Sequence, residues 1–250
     1  MTVPSTIDVL QQSSNKDLQP LVEYILKAST TERLSKSGTY KDNSPNHTRY
    51  TREIFEEIKS FGGNTYVNIF RGGGPEYSEL VCDVARKFKI KDPDDDSMVA
   101  LEKAIIVKIL KEAFEHSQGK EREEIEAALK DAGLKKKDLS VLFSGGSLAT
   151  VLGARMAGFA FYRISIIVAN AVAKQVLGHG LRLGANAALA KGLAVFAGPI
   201  GLVITGLWTA IDIAGPAYRV TVPCIIHIAM LRQRMICEAE NSGRDPFDAE

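Results

Sequence analysis

The sequence predicts an all-α fold, a compact multi-helix protein with an apolar, glycine-striped helical hairpin region in its C-terminal part. Apolar residues recur at steps of three and four in segment after segment, which is the spacing of a single helix face. No run of strictly alternating apolar and polar residues, the mark of a half-buried strand, interrupts that pattern. Clusters of glycine, proline and serine fall between the periodic segments, where they end helices and turn the chain.

Residues 1–35 read as short helical pieces, with Leu18, Leu21, Val22, Ile25 and Leu26 on one apolar face. The polar stretch 35–50 is rich in turn residues and reads as a loop. A helix starts near Thr51, presents Ile54, Phe55 and Ile58, and stops at Gly62–Gly63. After a short segment broken by Gly72–Gly73–Gly74–Pro75, a helix over about 76–90 aligns Leu80, Val84 and Phe88. The clearest helix follows Asp94, Asp95 and Asp96, acids placed at the positive end of its dipole, with Ser97 as cap. Met98, Leu101, Ile105, Ile109 and Ala113 line its apolar face; Glu102, Lys103, Lys108, Lys111, Glu112 and Glu115 form the polar one. A charged helix over 120–131 ends at Gly133. The closing helix, about 217–237, bends or restarts at Pro223 and sets Arg232 and Arg234 near its negative end.

Charge divides the chain into three parts. Residues 1–143 hold 22 basic and 24 acidic side chains, residues 144–237 hold eight and one (Asp212), and residues 238–250 hold one and five. The expected organisation is a mixed-charge helical part, 1–143, an apolar helical part, 144–237, and a disordered acidic tail, 238–250. Within the apolar part, Gly180, Gly184, Ala188 and Gly192 recur every four residues, a smooth stripe that allows close helix packing. Residues 192–211 carry no charge over twenty positions, about 30 Å as a helix and enough to span a bilayer core. Four glycines and Pro199 weaken that segment as a membrane helix. Its hairpin partner, 156–173, carries Arg163 near the middle, which costs about 2.5–3.5 kcal/mol to insert. The hairpin therefore reads as buried in a soluble core, with peripheral contact to an anionic membrane left open.

The 250 residues carry a net charge of +1, which argues against a nucleic-acid partner. Three scattered cysteines and the lack of an N-terminal basic-then-apolar run predict a cytoplasmic protein with free thiols. The glycines at 72–74 lack the Lys–Ser/Thr of a phosphate loop, and Ser144–Gly145–Gly146–Ser147 fails likewise. Cys224 and His227 lie on one helix face without a second ligand pair, and Glu112–His116 is a single helical pair where carboxylate-bridged bundles need two. Four histidines accompany no hydrolase signature. The expectation is a protein without catalytic residues, metal or cofactor, which binds a partner. Phe159, Phe161, Tyr162 and Trp208 read as core aromatics, and His179, set between Gly178 and Gly180 at a helix junction, as a turn residue with a local hydrogen bond.

Three strings resemble the YaaW family of bacterial proteins: FGGNTYVNIFRGGGPEYSELVCDVARKFKIK (61–91), VLGHGLRLG (176–184) and AYRVTVPCIIHIAMLR (217–232). Their order and separation agree as well, so the resemblance spans roughly residues 5–235. It implies an all-α fold, since the family's C-terminal half is likened to a ubiquinol–cytochrome c chaperone fold, and it implies no catalytic residues. It also implies a role as the sensor half of the two-gene anti-phage system Jumbo phage killer. Such a sensor detects an early phage protein or infection vesicle of nucleus-forming phages and recruits a separate, membrane-disrupting effector protein. A sensor that also recruits needs two binding surfaces, for which Tyr66, Arg71, Tyr77, His179, Arg182, Tyr218 and Arg219 are the candidate contacts. The alternatives are a chaperone for hydrophobic helices and a membrane-perturbing effector with residues 148–213 inserting.

Overall fold

A computed structural model describes residues 3–28, 32–62, 74–90, 97–134, 158–181, 194–211 and 217–241. Serine caps start the chain's regular structure: Ser5 and Ser14 each form a reciprocal box with the aspartate three residues on, opening α1 (Thr6–Gln11) and α2 (Asn15–Leu26). The predicted loop at 35–50 instead holds two 3-10 turns, Leu34–Lys36 and His47–Arg49, around α3 (Gly38–Asn43), which Ser37 caps. Six residues are too few for a periodic signal, so turn-rich composition hid this helix. α4 (Thr51–Ser60), α5 (Tyr77–Lys87) and α6 (Met98–His116) follow, the last capped by Ser97 as expected. Next come α7 (Gly119–Asp131), α8 (Phe159–Leu177), α9 (Ala197–Ile211) and α10 (Tyr218–Asn241). The described residues contain no strand, and the protein is all-α.

The last helix is the spine. α10 packs against α1, α2, α5, α6 and α8, so helices from both charge-defined parts share one core. Val222, Cys224, Ile225, Ile226, Ile228, Ala229 and Leu231 are buried around its whole circumference, as a helix surrounded by others requires. The helix runs unbroken through Pro223 and on to Asn241, so the first residues of the acidic segment are helical; 242–250 lie outside the described residues. α8 lies between α10 and α9, and α9 continues onto α6, so the predicted hairpin partners do pack together.

α8 and the span Tyr218–Glu240 are long and apolar enough to cross a membrane, yet 67% and 83% of their most apolar windows are buried inside the protein. That is the burial of core helices. Over its first ten residues α9 buries Ile200, Val203 and Ile204 while Leu202 is 66% exposed. Phe159, expected in the core, is 58% exposed, because it stands at the first position of α8 directly after Gly158. Phe161 is fully buried, Tyr162 packs half-buried against the core, and Trp208 lies outside the described side chains.

Two ion pairs pin α10. Arg234 meets Asp17 through two hydrogen bonds of 2.7 and 2.9 Å. Arg232 meets Glu102 with both side chains fully buried, which corrects the placement of Glu102 on the solvated face of α6.

Candidate functional site

A cleft of about 500 Å³ opens between α2 and the turn that follows α8. Sequence dictates both walls. On α2, the face opposite the buried Leu18, Leu21 and Ile25 presents Asn15, Lys16, Gln19 and Glu23, the last two one helical turn apart. On the other wall α8 ends at Gly178, whose φ of 86° is open to glycine at little cost, and its N–H caps the helix on the Lys174 carbonyl at 3.0 Å. The chain then turns back past the buried Asn170, whose Oδ1 accepts the Leu181 N–H at 2.8 Å. A Cβ at Gly180 would sit 2.5 Å from that same oxygen, so the turn needs glycine there. Lys27 reaches from the end of α2 to the Val176 carbonyl and ties the two walls together.

This turn delivers His179 to the cleft. Its Nε2 lies 3.2 Å from Glu23 Oε2 and its Nδ1 3.2 Å from the Gly180 carbonyl, with the ring about half exposed. The local contact expected for a turn histidine is present; the pairing with Glu23 was not foreseen. Behind Glu23 the polar groups continue inward as a chain. Gln19 Nε2 donates to Glu23 Oε1 at 2.8 Å, which leaves Gln19 Oε1 facing His47 Nε2. His47 Nε2 therefore donates, and Nδ1 accepts from the buried Tyr50 hydroxyl. Burial pushes the His47 imidazole below its ordinary value, the charge of Glu23 opposing, so the neutral ring this pattern needs is the favoured one. The His47 turn is held to α2 by the Thr48 N–H, which donates to Asn15 Oδ1 at 3.1 Å. The outcome is a carboxylate fixed from below and met from above by a half-exposed imidazole.

The other candidates fall differently. Tyr66, Arg71 and Arg182 lie outside the described residues. Tyr77 is a correction: it is 3% exposed and its hydroxyl donates to Glu102 at 2.9 Å, so it is a core group and not a partner anchor. Tyr218 lines a second, smaller hollow of about 250 Å³ with Phe61, Leu80 and Asp83, and its ring carries Lys87 Nζ at 5.3 Å from the centroid. Arg219 is exposed beside it. Glu23, Gln19 and His47 went unread. The first two had a signal in their i, i+4 spacing, whereas His47 sat in an apparent loop with nothing to link it to α2.

No group of three or more metal-ligating side chains converges among the described residues. Cys224 and His227 are fully buried; burial drives the Cys224 thiol up and the His227 imidazole down to about 4. His116 is exposed and bonded through Nδ1 to the Glu112 carbonyl at 2.7 Å.

Fold and cleft together define an all-helical protein in which, among the described residues, a polar chain from Tyr50 through His47, Gln19 and Glu23 meets the half-exposed His179 at an open cleft. The chain belongs to the UPF0174 family. It is 36% identical over 231 residues, 90% of each chain, to a UPF0174 protein of Helicobacter pylori strain J99. It is 35% identical over 207 residues to one of Helicobacter pylori strain 26695, covering 82% of this chain and 98% of the relative. With the UPF0174 protein YaaW of Escherichia coli K12 it shares 26% identity over 239 residues, 92% of this chain and 94% of YaaW. No family model matches the chain. No solved structure matches it significantly.

Proposed function

We propose that the protein is a non-enzymatic sensor and recruiter in bacterial anti-phage defence, of the kind JukA represents in the Jumbo phage killer system. It works in the cytoplasm, recognises an early protein or the infection vesicle of a nucleus-forming phage, and brings a separate membrane-disrupting effector protein to it. The observation that carries the reading is the α2 cleft, where a carboxylate is held in place by Gln19 and His47 and reached through the exposed His179. Fixed acceptors at a solvent-open site favour recognition, because little ordering entropy remains to be lost on docking. The resemblance of residues 61–91, 176–184 and 217–232 to the YaaW family supports the same reading.

The test is a plating assay with a nucleus-forming phage on cells carrying this gene and its genomic neighbour. Plaque numbers should fall only when both genes are present, and should recover when either is deleted. Restriction that persists without the neighbouring gene rejects the recruiter role.

A membrane-perturbing role is the second reading, favoured by Leu202 and Phe159 standing exposed on the α8–α9 hairpin. It predicts dye release from anionic liposomes by the purified protein alone, and an intact dye load removes it.

A further inference from the structure

We propose that the α2 cleft is a receptor for an arginine side chain of a protein partner, with the His179 imidazole occupying the guanidinium position in the unbound state. The inference rests on reading the cleft as a docking site and names the chemistry that docks.

Two acceptors face one planar ring there. Glu23 Oε2 is buried yet takes no aligned hydrogen bond, its nearest cationic-type group being His179 Nε2 at 3.2 Å. The Gly180 carbonyl faces His179 Nδ1 at the same distance. A neutral imidazole carries one N–H and serves only one of these acceptors at a time. A guanidinium is also planar, is always charged, and offers five donors in a fork, so it brings a donor for each acceptor. The remaining lining suits the rest of the side chain: Pro20, Leu177 and Leu181 supply an apolar wall for its methylene stem.

The acceptor is prepared for an incoming cation. Glu23 Oε1 is already engaged by Gln19, and Gln19 by His47, so the carboxylate cannot rotate away when His179 leaves. His179 by contrast has its side chain 54% exposed, and among the described residues its polar contacts are those with Glu23 and Gly180. It is a plug that a better donor displaces. Lys16 stands on the same lining but is exposed, where water and salt screen its repulsion of an incoming cation. A lysine partner would bring a point charge without the fork and would meet one acceptor well, not two.

An amide NMR titration of the full chain tests this with N-acetyl-arginine methylamide as probe, against its citrulline and lysine counterparts. The arginine probe should give saturable shifts at Gln19, Glu23 and Gly178–Leu181, and the uncharged citrulline probe should bind about tenfold more weakly. Glu23→Gln should abolish the shifts while its spectrum stays as dispersed as that of the parent protein. His179→Ala removes the internal competitor and should tighten arginine binding several-fold, an effect that a merely structural histidine would not produce. Equal binding of citrulline or lysine overturns the proposal, as do undiminished binding by Glu23→Gln and unchanged or weaker binding by His179→Ala. These outcomes are independent of phage restriction, so the chemistry of the cleft and the defence role can fail separately.

Discussion

Arg232 is fully buried and directs its donors to two separate stretches of chain, the start of the N-terminal part and α6. Nε and Nη2 meet the two oxygens of Glu102 at 2.8 and 3.2 Å, Nη2 also meets Thr6 Oγ1 at 2.7 Å, and Nη1 meets the Pro4 carbonyl. Tyr77 closes the arrangement from α5 by donating to Glu102 Oε1 at 2.9 Å. A buried ion pair is weak evidence of net stability, but removing one partner leaves a charge with nowhere to go. Arg232→Met should therefore lower unfolding stability by about 3–5 kcal/mol in a urea titration. Adding Glu102→Met to that variant should recover part of the loss, since the stranded carboxylate is gone. A single substitution costing under about 1 kcal/mol would mean that the pair is not buried as described. The sequence placed Arg232 and Arg234 near the negative end of a helix closing at about 237, but α10 runs on to Asn241 and has no basic residue in its last turn, and the sequence said nothing of their partners. Those lie 130 and 217 residues away, a separation over which helical periodicity carries no information.

Among the elements, the end of α8 is the one whose composition is tied to a single geometry. Gly178 holds a φ of 86°, which an L side chain adopts at a cost of about 1–2 kcal/mol, and Gly180 leaves no room for a Cβ beside Asn170. Gly178→Ala should lower stability by about 1–2 kcal/mol and leave His179 near Glu23. Gly180→Ala should push the turn off Asn170, so the His179 ring resonances should move further in its NMR spectrum than in that of Gly178→Ala. Equal ring shifts in the two variants would contradict the close approach to Asn170. Here the sequence was partly legible: the Gly–His–Gly string marked a junction and singled out His179. Elsewhere the apolar faces of α2, α4, α5 and α6 and the Ser97 cap were readable because each depends on local spacing alone. Where an element is short, as in α3, or where an aromatic sits at a helix start, as Phe159 does, hydrophobicity does not distinguish core from surface.

Across the whole molecule, α2 links the buried spine to the cleft, and that link gives folding a dependence on pH. One side of α2 offers Gln19 and Glu23 to the cleft, and its start is held to α10 through Asp17. The Asp17 carbonyl accepts from His227 Nε2 at 2.8 Å, and the Asp17 carboxylate takes both Arg234 bonds. Burial works to raise the Asp17 carboxyl, but hydrogen bonds from Arg234 and Ser14 outweigh it and bring the group to about 2. Burial lowers His227 to about 4, and its buried Nδ1 has no hydrogen-bond partner for a second proton. Above pH about 6.5 both the folded and the unfolded His227 are neutral and stability is complete. Between about 6.5 and 4 the unfolded chain takes up a proton that the folded core refuses, so stability falls as pH falls, by up to about 3 kcal/mol. The Asp17 contribution is full above about pH 4 and is lost only between there and about 2, so acid acts in two stages. His47, lowered by its own burial, adds to the first stage in the same direction. Urea midpoints of the parent protein should therefore drop between pH 7 and about 5.5, a window in which carboxylates of ordinary affinity stay ionised. His227→Gln keeps a donor for the Asp17 carbonyl and removes the titrating ring, so it should flatten most of that slope and leave the fall below pH 4 in place. A parent midpoint that does not move from pH 7 to 5 would show that protons enter the α2–α10 contact freely, and the tie between spine and cleft would then not be the neutral histidine.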